Sequence, residues 1–156
     1  MAKVLIAMGS KSDLDVVKPA AQILTKLGVD VTVRVMSAHR TPKTVMDYAT
    51  GKEGDFDVFI AAAGKAAHLA GFIAAFTPLP VKSSTMDGLD SLLSTVQMPS
   101  GVPVATVAIN GGLNAGLLAA QMLAISDSDL AEKIIAYREE NANGVINSNI
   151  NLTEEL

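Results

Sequence analysis

The chain contains no cysteine and no tryptophan, and aromatic residues fill only 4% of its 156 positions. Without cysteine there is no disulfide framework and no thiolate metal site, which suits a reducing cytosol. With so few rings, the core must be built from Ala, Val, Ile, Leu and Met. Basic residues are also scarce: 12 Lys and Arg stand against 16 Asp and Glu, for a formal net charge of −4. That balance argues against a nucleic-acid partner or a membrane surface. Long hydrophobic runs are missing too. The most apolar stretch, residues 58–69, is interrupted by Gly64, Lys65 and His68, and falls short of a membrane span. The N-terminal run Val4-Leu5-Ile6-Ala7-Met8 is strand-like and too short for a signal-peptide core, so no targeting signal and a cytoplasmic location are expected. There is no internal repeat, low-complexity tract or linker.

What is present suits one domain over residues 1–156. Apolar residues make up 49% of the chain, which excludes disorder and supports a single core. Residues 3–8 form a short apolar run without alternation, as in a strand buried on both faces. Gly9-Ser10-Lys11-Ser12-Asp13 follows as a turn, where Ser12 or Asp13 can cap a helix. That helix carries Leu14, Val17, Ala21, Leu24 and Leu27 at helical spacing and ends at a C′ glycine, Gly28. Residues 31–35 alternate and are β-branched, as in a strand. Thr41 and Pro42 then read as the N-cap and first turn of a helix reaching about Thr50.

Residues 57–63 predict a third buried strand, followed by a small-residue helix through 64–76. Residues 77–81 predict a fourth strand with prolines at its entry, and 83–87 a loop. Residues 89–98 predict a helix, 102–108 a fifth strand, 114–125 a helix, and Asp127 or Ser128 the cap of a last helix. The tail after Asn141, rich in Asn and Glu, reads as loosely ordered. Alternating strands and helices imply an α/β protein: a flavodoxin-like, doubly wound parallel sheet in three α/β/α layers, closed by a C-terminal helix. In such sheets ligands bind beyond the carboxyl ends of the strands. The segments expected there are the polar ones, 10–13, 37–40, 64–68 and 110–114.

Three of these segments carry candidate chemistry. Gly9-Ser10-Lys11-Ser12-Asp13 offers backbone N–H groups at a helix start, which favour an anion, while Asp13 suits a ribose hydroxyl. A capped helix with no ligand would use the same residues. Ser37-Ala38-His39-Arg40 sets a hydroxyl, an imidazole and a guanidinium on a strand-to-helix turn. Arginine meets phosphate through bidentate geometry and histidine is a common proton shuttle; the alternative is a solvated loop. His68, among small residues, either lines a ligand pocket or edges a helix contact. The chain has two histidines, each following an alanine and each expected at the same sheet edge, which favours one shared site. Familiar alternatives fail. Gly64-Lys65-Ala66 lacks the P-loop pattern, no dinucleotide fingerprint follows the first strand, and two histidines set no metal spacing. The third strand ends in Ala61-Ala62-Ala63-Gly64 rather than an acidic residue, unlike a phospho-acceptor receiver domain. A flavodoxin would sandwich its flavin with aromatic residues, and the turns here have none.

With these residues assembled, the chain resembles the N5-carboxyaminoimidazole ribonucleotide mutase family of purine biosynthesis (class I PurE). The resemblance rests on Met8-Gly9-Ser10-Lys11-Ser12-Asp13, Ser37-Ala38-His39-Arg40-Thr41-Pro42, Ala66-Ala67-His68-Leu69, Asp90-Ser91-Leu92-Leu93-Ser94, Val96-Gln97-Met98-Pro99 and Asn114-Ala115-Gly116-Leu117-Leu118. Arg40 and His68 resemble the mutase branch rather than the direct carboxylase branch. The resemblance implies that His39 is the general acid/base, with His68 beside it in the catalytic pocket. It implies that Ser10, Ser12, Asp13, Ser37, Ala38 and Arg40 hold the ribonucleotide. It implies further that Gly64 and Lys65 line the pocket around the carboxylate. The implied substrates are a small ribonucleotide and trapped CO2, with no cofactor and no metal, in a homo-octamer. Two departures stand out. Lys65 puts a cation in the family's glycine-rich loop. After Leu79-Pro80-Val81 the chain passes directly to Lys82-Ser83-Ser84, several residues short of the family's fourth strand, so that strand is shortened or replaced by neighbouring chain. A ribonucleotide-binding protein without catalysis and a direct aminoimidazole ribonucleotide carboxylase remain alternatives.

Overall fold

Two segments are apolar and buried over nearly their whole length, as strands covered on both faces require. They are Lys3–Met8 (β1) and Val58–Ala63 (β3), and they lie side by side at the centre of the sheet. The computed structural model describes residues 1–64, 66–85 and 88–148, with residues 82–85 described through their backbone. After β1 a single 3₁₀ turn, Lys11–Asp13, leads into helix α1, Leu14–Lys26. Strand β2, Asp30–Val35, and helix α2, Pro42–Ala49, precede β3. Then come α3 (Leu69–Ala74), β4 (Val81–Thr85), α4 (Gly88–Val96), β5 (Ala105–Thr106), α5 (Gly112–Ala124) and α6 (Ser128–Ser148). The five strands pair in parallel in the order β2-β1-β3-β4-β5. That is the doubly wound, flavodoxin-like α/β order expected from the sequence.

Side chains alternate across a strand, so β1 and β3 feed two cores. Val4, Ile6, Val58 and Ile60 pack with Val17 and Leu24 of α1, Ala115 and Ala119 of α5, and Leu130 and Ile134 of α6. Leu5, Ala7, Phe59 and Ala61 pack on the other face with Val45 of α2 and Leu69 and Ile73 of α3. Both cores are made of aliphatic residues with little aromatic content, as the composition requires. α1 and α5 approach closely where α5 carries Gly112 and Gly116. A Cβ at Gly116 would stand 2.8 Å from the carbonyl oxygen of Ala20.

The fourth strand is displaced along the chain from its expected place. The ladder runs over Val81–Thr85, in register with Phe59 to Ala63, and not over 77–81. Pro78 and Pro80 have no N–H to give to a ladder, although the Pro80 carbonyl still accepts the Phe59 N–H at 3.0 Å. The inner strand β3 needs a partner along its second edge, so the segment read as a loop at 83–85 is drawn into the sheet. Neighbouring chain thus replaces the missing length; residues 86 and 87 of the expected loop lie outside the described residues. β5 is short in consequence: its two residues pair with Lys82 and Ser83, where seven strand residues were expected.

Four helix ends also depart from expectation. Residues 66–68 are not helical, and α3 begins only at Leu69. α4 stops at Val96 and α5 starts at Gly112, after Asn110 turns the chain with φ +59°. The tail past Asn141 is helical to Ser148, and residues 149–156 lie outside the described residues. Once Leu130 and Ile134 have seated α6, each further turn needs no new nucleus. Asp127 caps this helix as expected, its Oδ1 accepting the Leu130 N–H at 3.0 Å. Gly28 ends α1 with φ +86°. No helix among the described residues is long and apolar enough to cross a membrane.

Candidate active site

Because β1, β2 and β3 are parallel, the loops leaving them emerge at one edge of the sheet. β2 and β3 flank β1, so their loops meet above the end of β1, at Gly9. The first loop is fixed by its own side chains. Ser10 is extended (φ −151°, ψ 155°) and caps the 3₁₀ turn, its Oγ accepting the Ser12 N–H at 3.3 Å. Asp13 reaches back so that its Oδ2 accepts the Ser10 N–H at 2.9 Å, closing a capping box. The Ser12 hydroxyl lies 3.1 Å from Asp13 Oδ1. Ser10 thus caps the 3₁₀ turn, while Asp13 stands at the N-cap position of α1, as expected, without a side-chain cap hydrogen bond to that helix. Only 6% of Asp13 is exposed; a buried carboxylate requires such partners.

The second loop carries Ser37, Ala38, His39 and Arg40. The Arg40 guanidinium crosses to the first loop and donates from Nη2 to the Gly9 carbonyl at 2.7 Å. Its backbone N–H donates to Ser37 Oγ at 3.3 Å. Thr41 was expected to cap α2 with its side chain and does not. Its hydroxyl turns back to Ser37 instead, because the Ser37 N–H is left unpaired by the end of β2 and needs an acceptor.

The third loop brings His68 to the second. His39 Nε2 lies 2.9 Å from His68 Nδ1, with the rings edge-to-face at 5.0 Å between centroids. One of the two nitrogens carries the shared hydrogen and the other accepts it. Both imidazoles are exposed, so water and ligand can reach them. The pairing follows from strand order. The two residues are 29 apart in sequence, yet their strands lie on either side of β1.

These loops enclose a cleft of about 540 Å³ lined by Gly9, Ser10, Ser12, Asp13, Ser37, Ala38, His39, Arg40, Ala63, Gly64, Ala66 and Leu69. That volume is in the range of small-molecule sites. Seven of the residues singled out from the sequence line it directly, together with Gly64. His68 does not line it and joins through His39. Lys65 lies outside the described residues. The segment 110–114 is not part of the lining, against expectation: it follows β5, two strands away from β3. Ala63 and Leu69 line the cleft without having been singled out; their apolar side chains gave no chemical signal. Among the described residues, no three His, Cys, Asp or Glu cluster closely enough to hold a metal ion.

A model of the family described as AIR carboxylase matches residues 3–144. The chain belongs to that family. Among AIR carboxylase relatives, it is 52% identical over 145 residues to a protein of Thermotoga maritima named N5-carboxyaminoimidazole ribonucleotide mutase, covering 89% of this chain and 85% of that one. It is 51% identical over 145 residues to a protein of Vigna aconitifolia named phosphoribosylaminoimidazole carboxylase, chloroplastic, covering 89% of this chain but 26% of that longer protein. The fold matches a crystal structure of Treponema denticola PurE with a TM-score of 0.85 at 28% identity, over 99% of this chain and 98% of the other. The AIR carboxylase match spans β1 through most of α6, so all three loops of the cleft fall inside it.

Proposed function

We propose that this protein is a mutase of purine biosynthesis that converts N5-carboxyaminoimidazole ribonucleotide to its C4-carboxylated isomer, with His39 as the group that moves protons. The observation that carries the reading is the His39–His68 contact beside Arg40 at the rim of a cleft, in a chain half-identical to a protein named for that reaction. Ser10, Ser12, Asp13, Ser37 and Arg40 bind the ribonucleotide. Arg40 suits its phosphate and Asp13 a ribose hydroxyl. Ala38 and Gly64 offer close backbone approach, and Lys65 balances the charge of the carboxylate.

The chemistry needs one proton in and one proton out. The exocyclic C–N bond breaks, CO2 leaves, and the electron pair on nitrogen takes a proton from His39. Ring C4 then attacks the carbon of CO2 and gives up its own proton to the same imidazole. No net proton is exchanged, and the step needs neither oxidant nor cofactor. The pairing of the rings supports this role. With His39 Nε2 donating to His68 Nδ1, His39 Nδ1 is a bare base in the neutral ring and carries the transferable proton in the imidazolium.

The protein is proposed to work in the cytoplasm as a homo-octamer of single-domain chains. Support for self-association comes from α4, where Leu89 and Val96 are 67% and 52% exposed and share a helix face with exposed Leu93. Apolar rows of that kind are covered in assemblies more often than left to water. The deciding experiment is a conversion assay with purified protein. N5-carboxyaminoimidazole ribonucleotide should give the C4-carboxylated product at low bicarbonate. Turnover only from aminoimidazole ribonucleotide plus CO2 would replace this reading with direct carboxylation. Tight binding without either reaction would replace it with a binding protein.

A further inference from the structure

The turn that carries His39 and Arg40 contains no regular secondary structure, and something must hold its shape against solvent. Its first and last residues are tied by one side chain. Thr41 Oγ1 accepts the Ser37 N–H at 2.9 Å and lies 3.2 Å from the Ser37 carbonyl oxygen. The Thr41 N–H donates to that same carbonyl at 2.8 Å. One hydroxyl thus serves as acceptor and donor at both ends of the Ser37 residue, closing residues 37–41 into a ring of hydrogen bonds. At either end the ring is anchored to regular structure: the Met36 N–H donates to the Met8 carbonyl at 2.9 Å, and the Val45 N–H to the Thr41 carbonyl at 3.2 Å. Inside the ring, Ser37 Oγ accepts the Arg40 N–H, so the Ser37 hydroxyl hydrogen is left to point elsewhere.

We propose that Thr41 is a positioning residue for His39, its hydroxyl latching the 37–41 turn so that the imidazole meets both His68 and the substrate. Thr41 itself does not line the cleft, so it acts through the turn and not by touching substrate. This rests on the reading of His39 as the proton-transfer group. The latch serves His39 more than Arg40, whose guanidinium has a separate anchor in the Gly9 carbonyl. Loss of the hydroxyl should therefore disturb proton transfer while leaving most of the grip on the ribonucleotide, since Ser10, Asp13 and Arg40 are anchored without Thr41. A hydroxyl on an exposed turn does little for global stability, which separates a positioning role from a structural one.

The test compares Thr41→Val, Thr41→Ala and Thr41→Ser with the wild type in steady-state isomerisation, alongside thermal melts. A reacting group displaced by about 1 Å can lose about a hundredfold in rate. Thr41→Val and Thr41→Ala should lose about ten- to a hundredfold in kcat, with KM near the wild-type value and melting temperature nearly unchanged. Thr41→Ser, which keeps the hydroxyl, should restore most of kcat. The Ser37 amide, followed by nuclear magnetic resonance, should exchange faster in Thr41→Val than in Thr41→Ser. An unchanged kcat in Thr41→Val, a loss confined to KM, or a Ser variant as impaired as the Val variant would overturn the latch while the wild type remains active. Wild-type protein with no isomerisation would instead overturn the underlying function, and this role with it.

Discussion

Replacing His39 with Asn is expected to lower turnover by about a hundred- to ten-thousandfold, the usual contribution of a positioned general acid/base. Asn is small enough to occupy the same turn and polar enough to face His68 in place of the His39 Nε2 that now lies 2.9 Å away. It cannot take up and return a proton. The ribonucleotide should still bind, because Ser10, Asp13 and Arg40 are held by bonds that do not involve His39. Calorimetric titration of the variant with the product nucleotide and a stopped assay with substrate would separate the two quantities. His68→Asn should cost less, since His68 reaches the cleft only through its partner. Turnover near wild type in His39→Asn would remove the imidazole from the chemistry. Equal losses for both variants would place proton transfer on the pair as a unit, in the way coupled catalytic residues behave.

The second large effect concerns stability. Gly112→Ala is expected to destabilise the fold by about 3 kcal/mol or more, above the usual range for an overpacked core. A Cβ at Gly112 would overlap the carbonyl oxygen of Val16 on α1, with the carbonyl carbon 3.0 Å away. Backbone cannot swing aside as a side chain can, so α5 would have to lift off α1. The same substitution at Gly144 serves as the control. Gly144 sits in exposed α6 with nothing within 4 Å of an added Cβ. There Ala should stabilise by up to about 1 kcal/mol through helix propensity. Urea melts would give midpoints moving in opposite directions for the two variants. A Gly112→Ala midpoint equal to wild type would mean that α1 and α5 are not in backbone contact.

The central strands were readable because the sheet's chemistry coincides with their sequence. β1 after Lys3 and the whole of β3 are apolar, and β2, an edge strand, alternates as an edge strand does. β4 was misread for the opposite reason. Nothing in Val81-Lys82-Ser83-Ser84-Thr85 signals a strand beside β3; the demand comes from the unpaired edge of β3, which a local window does not contain. The helical tail was missed in the same way, since its seating residues lie before it. At the cleft, residues such as Ser10, Asp13, His39 and Arg40 announced themselves by chemical type at strand ends. The His39–His68 contact did not. It depends on β1 lying between β2 and β3, which is a property of topology and not of either loop. Thr41 was legible as a helix-capping type, but its choice between α2 and Ser37 was not. Both partners offer a nearby N–H, and the turn's closure decides.

The short pairing of β5 has a consequence for how the molecule breathes. β5 holds to the sheet through two residues on a β4 that is itself borrowed from a loop sequence, whereas β1 is paired along both sides. Amides at the β4–β5 margin should open through local fraying, and those of β1 and β3 only through complete unfolding. The three loops of the cleft leave β1, β2 and β3, away from the β4–β5 margin. The protein can therefore lose its weak margin transiently without loosening the loops that hold Arg40 and the two imidazoles, so that shortening of one strand and integrity of the cleft are separable traits in this chain.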